Sequence, residues 1–304
     1  MDLLEDFRKA GRIAKEALLY GKDLIRKHAK LLDVTEKIEG FIKQKGAGLA
    51  FPMQISCNDI AAHYCAFKDD PLVFEDQVVC LDVGVEVNGC IGDTALTVDL
   101  SGEHADLVRA SEEALKAATE VVALGVKISS IGKAIEETIV SAGFQPVRNL
   151  SGHGLGQYEV HLPPNIPNYD TKEDSVLEEG FIAIEPFATA GVGLIHEKGE
   201  PNVFMMLGKK PVRVGFVRDI QKEIESYQGL PFTKRWLLKK FSESQVSYAM
   251  KQFDQLGILK SFPPLVERSG GLVSQAENSF YVGKEGVEEE KIRDCFCSDL
   301  KYKR

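Results

Sequence analysis

The sequence predicts an α+β protein made of two related halves, with a helical segment inserted near the end. Three observations predict it. An amphipathic helix with a glycine stop occurs twice: Val34, Ile38, Ile42 and Gly46 return 97 residues later as Ile131, Ile135, Ile139 and Gly143. A strand ending in a carboxylate also occurs twice. Val79-x-Leu81-Asp82 returns 103 residues later as Ile182-x-Ile184-Glu185, the six extra residues fitting a Pro-rich loop over Pro163–Pro167. Residues 208–270 then break this pattern with two short helices. Each half runs helix, helix, strands. Such a duplication predicts a pseudo-twofold sheet whose two carboxylates face each other near the axis.

Composition narrows the class. The 304 residues are 44% hydrophobic and 27% charged, which excludes a disordered, collagenous or coiled-coil chain. The net charge of −9 argues against a nucleic-acid backbone as the main partner. Met1–Asp6 is acidic and lacks the basic, then apolar, pattern of a secretory signal. No apolar run approaches the roughly 18 residues that span a bilayer. The six cysteines show neither zinc-ribbon spacing nor a disulfide framework. These features predict a cytoplasmic chain in a reducing compartment, without a membrane or DNA partner.

The elements follow in order. Leu3, Phe7, Ala10, Ile13, Ala14 and Leu18 space a helix within residues 3–28. Asp33-Val34-Thr35-Glu36 has the form of a capping box and opens a second helix reaching about Gln44, ended by Gly46 and Gly48. After a hairpin region come helices over Glu103–Ala123 and Ser130–Ala142, the latter stopped by Gly143. Thr233–Phe241 and Ser244–Leu256 are the two helices of the insertion. Gly257 ends the second, a strand starts at Ile258, and the whole has the outline of a winged-helix module. A last strand lies near Gly271–Val282. The Glu- and Lys-rich tail, with Cys295 and Cys297, has no periodicity and is expected to be loose.

The sharpest chemical signal is the run Val78–Thr94. Asn88-Gly89 between two β-type stretches marks a tight hairpin turn. With those residues at the turn, Val87 pairs with Cys90, Gly84 with Asp93 and Asp82 with Ala95. Asp82 and Asp93 are then diagonal neighbours on one face, about 7–8 Å apart. Two carboxylates aimed at one point repel unless a proton or cation lies between them, and a divalent metal would satisfy both. Further candidates stand beside apolar strands: His153, flanked by Gly152 and Gly154; His161; Glu185, between Ile184 and Pro186; and Glu277, on the face of Gln275 and Ser279.

At these residues the sequence resembles the type 2 methionine aminopeptidases, in their short, archaeal-like form. The resemblance is carried by Phe51-Pro52 with Ala61-Ala62-His63-Tyr64, Asp82 with Asp93, Ser151–Tyr158 with His161, Ile184–Thr189, Phe232–Trp236, Pro263-Pro264-Leu265 and Gln275-Ala276-Glu277, and spans residues 5–283. It departs at Asn278, where the family more often has histidine. The resemblance implies the pita-bread (creatinase/aminopeptidase) fold. The catalytic domain would be 1–207 with 271–283, the inserted winged-helix-like subdomain 208–270, and a flexible tail 284–304. It implies two divalent ions (Co, Mn, Fe or Zn) held by Asp82, Asp93, His153, Glu185 and Glu277, with Asp93 and Glu277 bridging them. His63 and His161 would contact the peptide, and either could donate to the oxyanion. Glu185 would shuttle a proton, and Phe51 would help wall the methionine pocket. The implied reaction is removal of the N-terminal methionine of nascent polypeptides by metal-activated water attacking the first peptide bond. A monomer associating with the ribosome is the expected setting.

Two other readings share the fold. An Xaa-Pro dipeptidase predicts an extra N-terminal domain, whereas here the first helix pair starts at the N-terminus. A non-catalytic RNA- or protein-binding module would use the basic stretch Lys234, Arg235, Lys239 and Lys240.

Overall fold

The computed structural model describes residues 3–284 and 286–289. Each half opens with a helix pair whose apolar stripe packs on a sheet. The first pair is α1 (Leu3–Leu24) and α2 (Leu31–Gln44); the second is α3 (Ala105–Val121) and α4 (Ile128–Ser141). α2 and α4 have equal length, and both bounds differ by 97 residues. Lys30 bridges Val73, and Lys127 bridges Val176. Leu31 N donates to Leu72 O and Ile128 N to Ser175 O, each at 3.0 Å. These carbonyls serve the start of each helix, so the capping box expected at Asp33 is not formed. Lys30 is the N-cap and Asp33 lies in the first turn. Both helices end as expected, on left-handed Gly46 (φ +74°) and Gly143 (φ +87°). Ala47 N then reaches Ile42 O and Phe144 N reaches Ile139 O, the bond that closes a glycine-terminated helix.

The first half adds β1 (Gly48–Leu49), β2 (Gln54–Cys57), β3 (Ile60–Ala62), β4 (Val78–Val87) and β5 (Cys90–Asp99). β1 and β2 flank one edge of β4, and β5 pairs along the other. The second half adds β6 (Gln145–Pro146), β7 (Ser151–Gly156), β8 (Glu159–Pro167), β9 (Gly180–Ile184), β10 (Phe187–Thr189) and β11 (Ile195–Glu197). Pro163–Pro167, expected as a loop, belongs to β8. Its prolines are tolerated because β8 is the edge of its sheet, where a missing N–H breaks no inner ladder. Ile38, Ile42, Met53, Ile55 and Leu81 share one buried core; Ile131, Ile135, Ile182, Ile184 and Phe280 share the other.

The insertion hangs on β12 (Val203–Met206), which pairs with β13 (Leu259–Phe262), so a strand preceding the helices forms the ribbon with the strand that follows them. Between them lie α5 (Gly215–Glu225), α6 (Lys234–Leu237) and α7 (Glu243–Gln255). α5 has no counterpart in the sequence reading. Val217, Ile220 and Ile224 pack it into the subdomain core with Phe232 and Phe253. α7 is capped by Ser242 with Gln245, a complete capping box. β14 (Leu265–Glu267) pairs with β11 and β3, then β15 (Val273–Gln275) with β10, and β16 (Asn278–Gly283) with β9.

The basic stretch of the insertion is engaged internally. Arg235 is 5% exposed. Its Nη1 donates to Glu39 Oε2 at 3.0 Å, its Nη2 to Glu39 Oε1 at 2.5 Å, and its Nε to Ala66 O at 3.3 Å. Trp236 Nε1 adds a bond to Glu39 Oε1 at 3.1 Å. Lys240 pairs with Glu223, Lys239 lies 3.7 Å from Glu36, and Lys234 stands over the Phe204 ring. The expected looseness after Gly283 does not hold for Gly286–Glu289. They form β17, whose Val287 pairs with Val282 on the edge of the sheet. Cys295 and Cys297 lie outside the described residues.

Candidate metal centre

The β4–β5 hairpin adopts the register set by its turn. Asn88 (φ +51°) and Gly89 (φ +85°) are both left-handed, as a tight primed turn requires. Val87 pairs with Cys90, Gly84 with Asp93, and Asp82 with Ala95. Side chains alternate across a strand, so Asp82 and Asp93 share a face. The second half brings in the other groups. His153 on β7 pairs with Ala183 on β9, and Glu185 follows the last residue of β9.

Glu277 reaches the first half directly. Ala95 and Glu277 exchange backbone bonds, Glu277 N to Ala95 O at 3.0 Å and Ala95 N to Glu277 O at 3.3 Å. Around this bridge Asp93 N donates to Ser279 Oγ at 2.6 Å and Ser279 Oγ to Asp93 O at 2.7 Å. Thr94 Oγ1 donates to Glu277 O at 3.0 Å. Gln275 Nε2 donates to Glu277 Oε2 at 3.2 Å, holding that carboxylate. Thr94 and Ser279 stitch the two halves together. Sequence reading gave them no such role, because their partners lie more than 180 residues away.

Asp93, His153 and Glu277 are all buried, and each offers one ligand atom within 4.8 Å of the others'. His153 Nε2 is 3.9 Å from Asp93 Oδ2 and 3.8 Å from Glu185 Oε1. Asp82 is half-buried, and its buried Oδ1 has no hydrogen-bond partner among the described residues. Burial pushes its carboxyl up to about 7. Glu277 is pushed well above the carboxylate range by burial, then by Asp93, Glu185 and Asp82; Glu185 likewise by burial, Asp93 and Asp82. Burial drives His153 down to about 3, assisted by His161. Four acids share one small volume with a neutral imidazole. Such a set is stable only when protonated or when a cation compensates it. Its oxygen-rich donors suit hard to borderline divalent ions.

The cluster lines a cavity of about 890 Å³ that also includes His63, His161 and Phe51. His63 is left-handed (φ +66°), a conformation held by its N–H to Gln54 Oε1 at 2.7 Å. Its Nδ1 lies 3.3 Å from Pro263 O. A carbonyl can only accept, so Nδ1 carries the proton there. Burial, then His161, holds the ring down to about 4, so it is neutral. Gln54 pairs in register with Asp82, linking this histidine to the acidic cluster. Sequence reading missed Gln54, whose contact crosses between strands. The His161 ring stands 4.2 Å from that of His153, and burial and Lys260 lower its pKa. Phe51 is 4% exposed and lies on the backbone of Gly84. A Cβ at Gly84 would come within 2.2 Å of the Phe51 ring, so glycine is required there.

The sequence matches metallopeptidase family M24 over residues 5–218. The chain belongs to this family. It is 46% identical to a methionine aminopeptidase of Archaeoglobus fulgidus over 94% of this chain and 97% of that protein. It is 45% identical to a methionine aminopeptidase of Thermococcus onnurineus over 94% and 99%. A solved methionine aminopeptidase of Thermotoga maritima shares the fold, with TM-score 0.68 at 22% identity over 94% and 95% of the two chains. The architecture of paired halves is therefore the pita-bread fold of the M24 family.

Proposed function

We propose that this M24 chain removes the N-terminal methionine from peptides and nascent proteins in a metal-dependent hydrolysis. The observation that carries the reading is the buried cluster at the cavity, its Asp82 Oδ1 left without a partner, in a chain so similar to methionine aminopeptidases. Asp82, Asp93, His153, Glu185 and Glu277 would hold two divalent ions, with Co, Mn, Fe and Zn all compatible with the donors. Bound there, such ions acidify water and polarise a carbonyl as Lewis acids.

The protein's own groups supply the rest. The acidic cluster attracts the free α-amine and so orients the chain for removal of one terminal residue. The two histidines divide their roles. Either was expected to donate to the oxyanion. With Nδ1–H committed to Pro263 O, neutral His63 keeps only an acceptor at Nε2, suited to the substrate N–H. Donation to the developing oxyanion therefore falls to His161. Glu185 can carry a proton to the departing amine. Phe51, pinned by Gly84, walls the side-chain pocket.

The helical segment between β12 and β14 supports the type 2 assignment, with 1–207 and 271–283 as the catalytic domain and 208–270 as the inserted winged-helix-like subdomain. A monomeric cytoplasmic enzyme meeting its substrates at the ribosome is the setting we propose. Among the described residues no helix is long and apolar enough to cross a membrane. The test is a Met-Ala-Ser peptide. Free methionine should be released, the release should stop on chelation, and two equivalents of one of the four metals should restore it. No release with any of them would refute the reading.

A further inference from the structure

Two charged residues lining the cavity, Lys260 and Glu159, have no part in the chemistry above. Lys260 is the only lysine or arginine among the described residues lining the cavity. It lies on β13, opposite Met205, and is exposed. Its Nζ stands 4.7 Å from the centroid of the Phe262 ring. That ring in turn meets His63 edge-on at 5.7 Å. Residues two apart on a strand share a face, so the lysine, the phenylalanine and the histidine form one wall. Among the described residues no carboxylate pairs with Lys260. Its charge acts on His63 and His161, making both harder to protonate. Lys260 therefore stands on the histidine side of the cavity.

The polarity of a bound peptide follows. If its α-amine lies at the acidic cluster and its first amide between the histidines, the chain leaves past the wall that carries Lys260. We infer that Lys260 forms a downstream subsite favouring substrates with an acidic side chain in the first few residues after the released methionine. This rests on the aminopeptidase reading. The ammonium is attached by a flexible stem and faces the cavity, so it can meet a carboxylate without backbone change. An exposed pair of this kind is worth at most about a fivefold preference at low salt, and salt screens it.

The experiment uses the metal-loaded full chain and amidated peptides Met-Ala-Xaa-Ser and Met-Ala-Ser-Xaa, with Xaa aspartate, asparagine or lysine. Amidation removes the terminal carboxylate as a competing ligand. The wild-type protein should give a kcat/KM ratio of aspartate over lysine of about three to five at one of the two positions, shrinking at high salt. Lys260→Met should level the ratio, and Lys260→Glu should invert it. A ratio of one in the wild-type protein, or a preference that Lys260→Glu leaves unchanged, would overturn the subsite while leaving the aminopeptidase intact. Failure to release methionine from any peptide would overturn the aminopeptidase reading and the subsite with it.

Discussion

Removing metal should make the protein lose stability as the pH rises, the reverse of what ion-paired or hydrogen-bonded acids do. The folded Asp82 carboxyl keeps its proton to about pH 7, whereas the unfolded one releases it near 3.8, and burial is the cause. Between those values the folded state binds more protons, so stability is present below the unfolded value and drains away through the folded one. For Asp82 alone the whole change is roughly 4 kcal/mol, with about 0.8 kcal/mol of it falling between pH 6.5 and 8. Glu185 and Glu277 are raised too and add in the same direction. The buried histidines act oppositely. His63 and His153 are held down to about 4 and about 3 by burial, so their unfolded forms take up protons first and stability rises with pH until about 7.5. Between pH 6.5 and 8 each still returns about 0.4 kcal/mol, because an unfolded histidine is half protonated at pH 6.5; together they offset Asp82, so a net loss in this window reports Glu185 and Glu277. Chelated protein should be unfolded by urea at pH 6.5 and pH 8, beside metal-loaded protein. The chelated form should lose stability across this window through Glu185 and Glu277, and the loaded form should not, because cations bind the ionised acids. Chelated protein as stable at pH 8 as at 6.5 would refute the account of the cluster.

Four substitutions probe separate parts of the molecule. Asp93→Ala and Glu277→Ala should each lose bound metal and methionine release together, read by elemental analysis and the peptide assay; metal content equal to wild type in Asp93→Ala would defeat its placement between the ions. His63→Ala should keep its metal but lose roughly 10²- to 10⁴-fold in kcat/KM, and an unchanged rate would remove it from the reaction. Glu39→Gln leaves the Arg235 guanidinium buried and partly unmatched, so urea unfolding should show a loss of about 3–5 kcal/mol. A cost under about 1 kcal/mol would mean that the pair does not fasten the insertion to α2.

Most of the scaffold could be read locally. The 97-residue echo of Val34, Ile38 and Ile42 fixed helices that prove identical in length, because an apolar stripe and a glycine stop are properties of a few consecutive turns. The hairpin register was equally local, since a two-residue turn leaves no freedom about which residues face each other. Errors arose where distant backbone decided the outcome. Asp33 looked like a cap, but the Lys30–Val73 bridge and the Leu31 N bond to Leu72 O start the helix two residues earlier, which leaves Asp33 inside its first turn. Gly286–Glu289 carries no strand pattern in the sequence; Val287 packs on the core and the edge of β16 supplies the pairing. The basic stretch of the insertion left an RNA- or protein-binding alternative open, but Glu39, Glu36 and Glu223 lie beside it.

The site shows the same division for a stronger reason. Asp82 and Asp93 are coplanar neighbours by hairpin geometry alone, and Glu185 occupies the place of Asp82 in the repeat. Convergence of the two halves is another matter. It depends on the Ala95–Glu277 bridge, Ser279 clasping the backbone of Asp93, and Gln54 holding His63 left-handed, none of which leaves a mark in sequence spacing. These bonds draw like charges together at an energetic cost that a binding protein of this fold would have no reason to bear. Scattering the acids onto the solvent faces of the same strands would be cheaper for folding by several kcal/mol. The cluster is thus best understood as a site whose stability is completed by cations, and the pH response of the metal-free chain measures how incomplete it is without them.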